Sequence, residues 1–188
     1  MPISPVSPWV SRFGGLLPAG LVLDLACGNG RHAAWLAQRG LEVLAVDRNP
    51  ELLAEITAPG VQTQQIDLEA GPSEPLSSLF LPQRFSAVVV TNYLHRPLFP
   101  LILASVARQG VLLYETFAAG NEQFGKPSNP DFLLQPGELL ALLAADAASS
   151  WRVLAFEDGY LAGPKPAMVQ RICAVKQAGA SVSALRIA

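Results

Sequence analysis

Residues 22–32, Val-Leu-Asp-Leu-Ala-Cys-Gly-Asn-Gly-Arg-His, restrict the fold more than any other part of the chain. A short apolar run ends in a carboxylate, turns through Gly28-Asn29-Gly30 and continues into helix formers from Ala33 to Gln38. The pattern predicts a buried strand, a tight turn and a helix, the unit from which parallel α/β sheets are built. Glycine in the turn lets the backbone come close to a ligand, and the helix start offers N–H groups without intrahelical partners. The junction therefore predicts a site for a nucleotide-like cofactor.

The rest of the chain repeats the alternation. Strands are expected at 21–25, 41–46, 61–66, 85–91 and 111–116. Helices are expected from about Gly30 to Arg39, from Asn49-Pro50-Glu51 toward Pro59-Gly60, and across 97–107, where Leu98, Leu101, Ile102, Ser105 and Val106 keep helical spacing. Pro136 and Glu138 open a further helix to about Ala147, and 151–157 and 168–176 read as two closing strands joined by a Gly/Pro-rich turn. Five strands alternating with helices require a mostly parallel, doubly wound sheet, and a hairpin makes its last strand antiparallel. The predicted fold is thus α/β with seven strands. The whole chain, 1–188, reads as a single domain. It divides into an N-terminal arm (1–15), extended over 1–8 with a short helical turn expected at Trp9 to Phe13 ended by Gly14-Gly15, a cofactor-binding core (20–117), a pattern-free segment (118–134) read as a lid, and a tail (177–188).

Composition removes several classes. Hydrophobic residues make up 51% and charged residues 15%, which excludes global disorder. Formal net charge is −2 with scattered basic residues, so no nucleic-acid surface is expected. The N-terminus lacks the pattern of a signal peptide, and the apolar run Leu98 to Ala107 is about half the ~20 residues of a membrane span. Two cysteines, Cys27 and Cys173, form neither a disulfide framework nor a metal-type spacing, so no metal is expected and a cytoplasmic protein fits.

Three successive strands end in an acid: Asp24, Asp47 and Asp67. Ligands of open parallel sheets bind outside the carboxyl ends of the strands, so these carboxylates share a rim where they can meet an amine and hydroxyls. Asp47 follows Gly30 at close to the ~20 residues typical of a ribose-binding acid.

At this point the sequence resembles the class I S-adenosylmethionine-dependent methyltransferases. Asp24-Leu25-Ala26-Cys27-Gly28-Asn29-Gly30 looks like their motif D-x-x-x-G-x-G, with Ala26 where Gly is more usual. The resemblance implies a Rossmann-like methyltransferase fold and S-adenosylmethionine as cofactor. It implies cofactor contacts from Asp24, Ala26, Cys27, Gly28, Asn29 and Gly30 around the methionine portion, and from Asp47 and Arg48 around the ribose. Asp67 and Leu68 would meet the adenine, and Asn92, Tyr93 and Leu94 would face the methyl-donating sulfur. Cys-Gly-Asn-Gly-Arg and the small size look most like the tellurite-resistance methyltransferases. Two alternatives stay open. Gly28 to Ala33 also fits G-x-G-x-x-A of nicotinamide dinucleotide sites, although Asp24 would repel a pyrophosphate. A cofactor-binding module without turnover fits as well.

The acceptor side is thinner. No base-methylating Asn/Asp-Pro-Pro-aromatic motif follows strand four, and a small-molecule acceptor is expected. Tyr93, His95 and Arg96 are the candidates for catalysis, with His95 and Arg96 suited to an anionic, thiol or metalloid acceptor. Arg31, His32, Glu115 and Phe124 are candidate acceptor contacts, and Trp9, Arg12 and Phe13 could close the site from the other side. Oligomeric state has no signal.

Overall fold

A computed structural model describes residues 5–177. Its strands are β1 (Leu21–Leu25), β2 (Glu42–Asp47), β3 (Val61–Gln65), β4 (Phe85–Thr91), β5 (Val106–Phe117), β6 (Trp151–Leu161) and β7 (Ala167–Lys176). They form one sheet in the order β3-β2-β1-β4-β5-β7-β6. The first five strands pair in parallel, and β7 is antiparallel to both β5 and β6. The chain builds outward from β1 to β3, then returns to the other side of β1 with β4. That reversal opens a crevice at the carboxyl ends of β1 and β4, where ligands of such sheets bind.

Three helices cover each face. α1 (Pro8–Phe13), α2 (Arg31–Ala37) and α3 (Pro50–Ala54) supply Trp9, Phe13, Leu36 and Leu53 to a core that also takes Val22, Val43 and Val89. α4 (Glu74–Leu79), α5 (Phe99–Ser105) and α6 (Glu138–Ala145) pack Leu79, Ile102 and Leu139 against Leu23, Leu44 and Val88. Successive strand residues thus serve opposite cores, which is why the strands read as continuous apolar runs. Local chemistry sets the helix starts. Asn49 accepts from the N–H groups of Glu51 and Leu52 ahead of Pro50, and Ser7 accepts from Trp9 N ahead of α1.

Four boundaries differ from the sequence reading. The expected arm is docked rather than extended: its short helical turn forms as α1, where Trp9 is 1% exposed and donates to Ile172 O at 3.2 Å. Residues 1–4 of that arm, and 178–188 of the tail, lie outside the described residues. β5 begins at Val106, which pairs with Phe85, while Val111 pairs with Ala87. A bulge with Gln109 in the left-handed region lies between them. β6 runs to Leu161 because β7 pairs it along its length, but as an edge strand it lacks the apolar run that marks a buried one. The segment 118–134 carries 3₁₀ turns at Asn121–Gln123 and Pro130–Phe132.

Candidate active site

The turn after β1 is held by the end of β2. Gly28 N donates to Asp47 Oδ2 at 2.8 Å, Asn49 N donates to Asp47 Oδ1 at 2.9 Å, and Cys27 N donates to Val46 O at 3.0 Å. Ala26, Gly28 and Gly30 have φ of 54°, 57° and 71°. A side chain at Gly30 would also place its Cβ 2.5 Å from Ile56 Cδ1, so the Ile56 side chain would have to move, while the left-handed backbone itself favours glycine. Ala26 takes the same left-handed region with a Cβ, at a cost of ~1–2 kcal/mol. The turn ends in Asn29 and Gly30, and Gly30 N closes onto Cys27 O at 3.0 Å. The Cys27 thiol is buried beside Asp24 and Asp47; desolvation first and those charges second push its pKa up, so it stays a thiol.

Ala26, Asp47, Arg48, Asp67, Leu68 and Tyr93 share the wall of a cavity of about 160 Å³. Asp67 Oδ1 accepts from Glu69 N at 3.0 Å, and Leu68 is buried. Asp24, at the end of β1, is fully buried. Its Oδ2 accepts from Ala33 N at 2.9 Å, tying β1 to α2, but its Oδ1 has no hydrogen-bond partner. Burial raises its pKa from 3.8 to about 7, against the opposing pull of the Ala33 N–H and the Arg31 charge. An orphaned carboxylate oxygen of this kind suits a cationic ligand.

Beyond Tyr93 the rim opens into a second cavity of about 240 Å³, whose wall includes Asn92, Leu94, Thr116, Phe117, Pro127 and Phe132. Asn92 has φ of 55°, and its N–H donates to Glu115 O at 2.8 Å, which turns the chain sharply off β4. Tyr114 Oη donates to Tyr93 O at 2.8 Å and fixes the next residue. Tyr93 and Glu69 line both cavities, so they stand at the junction. Tyr93 Oη is buried near the Glu69 carboxylate without a well-formed hydrogen bond; desolvation first and that carboxylate second push its pKa up, keeping it protonated.

Several residues expected at the acceptor are occupied elsewhere. His32 is 1% exposed: Ser7 N donates to its Nε2 at 3.2 Å, and Thr91 Oγ1 lies 3.3 Å from Nδ1. Nε2 is therefore the acceptor and Nδ1 the protonated nitrogen. Desolvation lowers its pKa to about 3, so the ring is neutral and pins the N-terminal segment to β4. Arg31 Nη1 reaches Pro5 O at 3.3 Å, and Glu115 accepts from Ser7 Oγ at 2.8 Å and from Arg171 at 3.2 Å. Arg96 grips the far side of the crevice. It makes paired bonds of 2.7 and 2.9 Å to Glu138 and donates to Asp131 O and Leu133 O at 2.7 and 2.9 Å. With its donors so engaged, it has the geometry of a clamp on 131–138 rather than of a free anion site. Phe124 packs at 5.1 Å on Tyr160 of β6, away from both cavity walls. His95 is half-buried and lines neither cavity. Trp9, Arg12 and Phe13 close no cavity; Trp9 and Phe13 face the core, and Arg12 pairs with Glu157.

Sequence reading missed Glu69, although it stands two residues past Asp67, and missed Ser7, whose place before Pro8 is an N-cap signal. A further cavity, about 690 Å³, lies at the opposite rim near Lys176 and Arg108, away from the Gly turn. Among the described residues no group of three or more His, Cys, Asp or Glu side chains is placed to hold a metal, and no helix is long and apolar enough to cross a membrane.

The comparisons agree with this geometry. The family model for a methyltransferase domain matches residues 22–109, from β1 into the start of β5. No curated protein sequence matches the chain. Among solved structures, TehB from Haemophilus influenzae is 19% identical, with 92% of this chain and 63% of that one covered at a TM-score of 0.68. This chain thus spans under two thirds of TehB. A SAM-dependent methyltransferase from Archaeoglobus fulgidus is 15% identical over 89% of this chain and 91% of its own, with a TM-score of 0.66. The 1,6-didemethyltoxoflavin-N1-methyltransferase of Burkholderia thailandensis is 20% identical over 90% and 76%, with a TM-score of 0.60. These likenesses are of fold, and the dinucleotide alternative gives way to the matched family. Residues 22–109, just under half of the chain, match the methyltransferase-domain family, and the fold is that of the solved S-adenosylmethionine-dependent methyltransferases.

Proposed function

We propose that the chain holds S-adenosylmethionine along the rim from Gly28 to Asn92 and methylates a small molecule seated beyond Tyr93. The observation that carries this reading is the cavity joining Ala26, Asp47, Asp67 and Leu68, the ends of three strands that the sequence marks separately. Asp47 uses each carboxylate oxygen once for a backbone N–H, which leaves a lone pair on each for the two ribose hydroxyls. Asp67 is the acceptor for an adenine amine, with buried Leu68 as the apolar wall. The backbone of Cys27, Gly28, Asn29 and Gly30 lies along the methionine portion, Arg48 borders the ribose, and Asp24 orients the ammonium end. Asn92, Leu94 and Tyr93 face the sulfur.

When bound, the cofactor supplies a methyl on a positively charged sulfur, which becomes a neutral thioether as a nucleophile takes the methyl. The protein's part is alignment and exclusion of water, which together can supply several kcal/mol. Pro127 and Phe132, on the acceptor cavity wall, come from the 118–134 segment. Its roots are tied by Ala119 N to Leu134 O at 2.9 Å and Ala118 N to Met168 O at 3.0 Å, so any closing movement belongs to the stretch between them. The partner is a small-molecule acceptor. An anionic or metalloid acceptor finds no free Arg96 to meet it. A thiol, which needs no cation, remains compatible.

Calorimetric titration with S-adenosylhomocysteine tests the cofactor half. Asp47→Ala should weaken binding by about 1–3 kcal/mol, roughly 10–100-fold, because it removes charge-assisted bonds to the ribose. Wild-type affinity in that variant would remove the ribose assignment. Labelled-methyl transfer to a panel of small acceptors tests turnover.

A further inference from the structure

We propose that the methyl acceptor is a small amine with an apolar body, bound in the 240 Å³ cavity with its nitrogen between Glu69 and Tyr93. The inference rests on the cofactor reading above and deepens it. The cavity lies below the roughly 300–1,000 Å³ of sites for drug-sized ligands, so its occupant is small. Leu94, Phe117, Pro127 and Phe132 form an apolar side to its wall, facing the polar Glu69, Asn92, Tyr93 and Thr116. Among the described residues no Lys, Arg or His lines it, and Arg96, the cation that follows Leu94 most closely, is held by Glu138 and two carbonyls. An anion would therefore trade its hydration for neutral donors alone, those of Asn92, Tyr93 and Thr116, and it would face Glu69 as well.

An amine meets the reverse situation. Glu69 is exposed at the junction with the cofactor cavity, and Tyr93 Oη stands there buried and unpartnered. An ammonium group pairs with the carboxylate and donates to the phenol oxygen, and the aromatic wall favours a cation over an anion. The ammonium must first lose one proton, for which Glu69 is the nearby acceptor. The freed lone pair then forms the N–C bond as the C–S bond breaks, its electrons staying on sulfur. The methylated amine leaves as an ammonium with one more carbon, and Glu69 releases to water the proton it took.

The test uses four probes sharing one phenyl body: phenethylamine, 2-phenylethanol, 2-phenylethanethiol and phenylacetate. Each is titrated into the protein saturated with S-adenosylhomocysteine. Phenethylamine should bind at least about tenfold more tightly than phenylacetate, the value of one charge-assisted hydrogen bond. In Glu69→Gln, again saturated with S-adenosylhomocysteine at that variant's own measured affinity, the preference should shrink to within about threefold, as expected when an ion pair at an exposed site is lost. Preference for phenylacetate or for the thiol, a preference unmoved by Glu69→Gln, or binding of none of the four would each overturn the proposal with the cofactor reading intact. Failure of S-adenosylhomocysteine to bind would overturn the cofactor reading as well, so the two failures are separable.

Discussion

Replacing Asp24 by asparagine should stabilise the protein above neutrality while weakening its hold on the cofactor. In the folded state the carboxyl titrates near pH 7 because it is fully buried and one oxygen is unpartnered, against 3.8 when exposed. Between those values the folded protein keeps a proton that the unfolded chain has released. Stability therefore falls as pH rises through this window, by about 4 kcal/mol in all at ~1.4 kcal/mol per pH unit. Asparagine copies the protonated carboxyl, since its oxygen accepts from Ala33 N and its amide N–H stands where the O–H would be. The two proteins should thus have similar stability at pH 4, and the variant should be more stable at pH 8 by up to about 4 kcal/mol. Urea denaturation at pH 4, 6 and 8 reads the difference, in which every other titrating group cancels. The variant should also bind S-adenosylhomocysteine about tenfold more weakly at pH 8, having lost the charge that pairs with the ligand's ammonium. A variant no more stable at pH 8, or a stability difference that does not change with pH, would refute the reasoning.

His32 acts with the opposite sign: its folded pKa of about 3 against 6.5 means that stability falls as pH drops below 6.5, by about 5 kcal/mol over the full window. His32→Gln should therefore lose less stability than wild type between pH 7 and pH 4, and equal losses in urea denaturation would show that the ring is not a buried neutral clamp. Arg96→Ala should cost about 2–3 kcal/mol, the loss of charge-assisted bonds to Glu138 and two carbonyls. Hydrogen exchange should accelerate at 131–138 with S-adenosylhomocysteine affinity little changed; a selective loss of affinity would move Arg96 into the binding wall. Ala26→Gly relieves a left-handed alanine worth ~1–2 kcal/mol and gives back about 0.4–1 kcal/mol in unfolded-chain entropy. Thermal denaturation should show a gain of up to about 1.5 kcal/mol, and a loss would mean that the Ala26 methyl packs usefully in the turn.

What could be read from the sequence followed from local rules. β1, β2 and β4 are buried on both faces, so their apolar runs stood out, and Asp24, Asp47 and Asp67 marked the rim because each closes a strand next to a turn or helix start. Asn49-Pro50-Glu51 announced α3 through capping chemistry alone. Long-range partners set the remainder. Arg96 looked like a free cation until Glu138, 42 residues on, took it. His32 looked like a crevice histidine until Ser7, 25 residues earlier, donated to it. β6 gave little signal because an edge strand paired on one side needs no continuous apolar run. The β5 bulge escaped notice because Val106 satisfies a helical spacing as well as a strand pairing.

A crystal structure with S-adenosylhomocysteine bound tests the central claim most directly. The account predicts ribose hydroxyls on Asp47, the adenine against Leu68 with its amine toward Asp67, and the sulfur beside Asn92, open to the cavity walled by Phe117 and Phe132. A ligand seated at the opposite rim, in the cavity near Lys176 and Arg108, or one at the Gly turn without contact to Asp47, would contradict it.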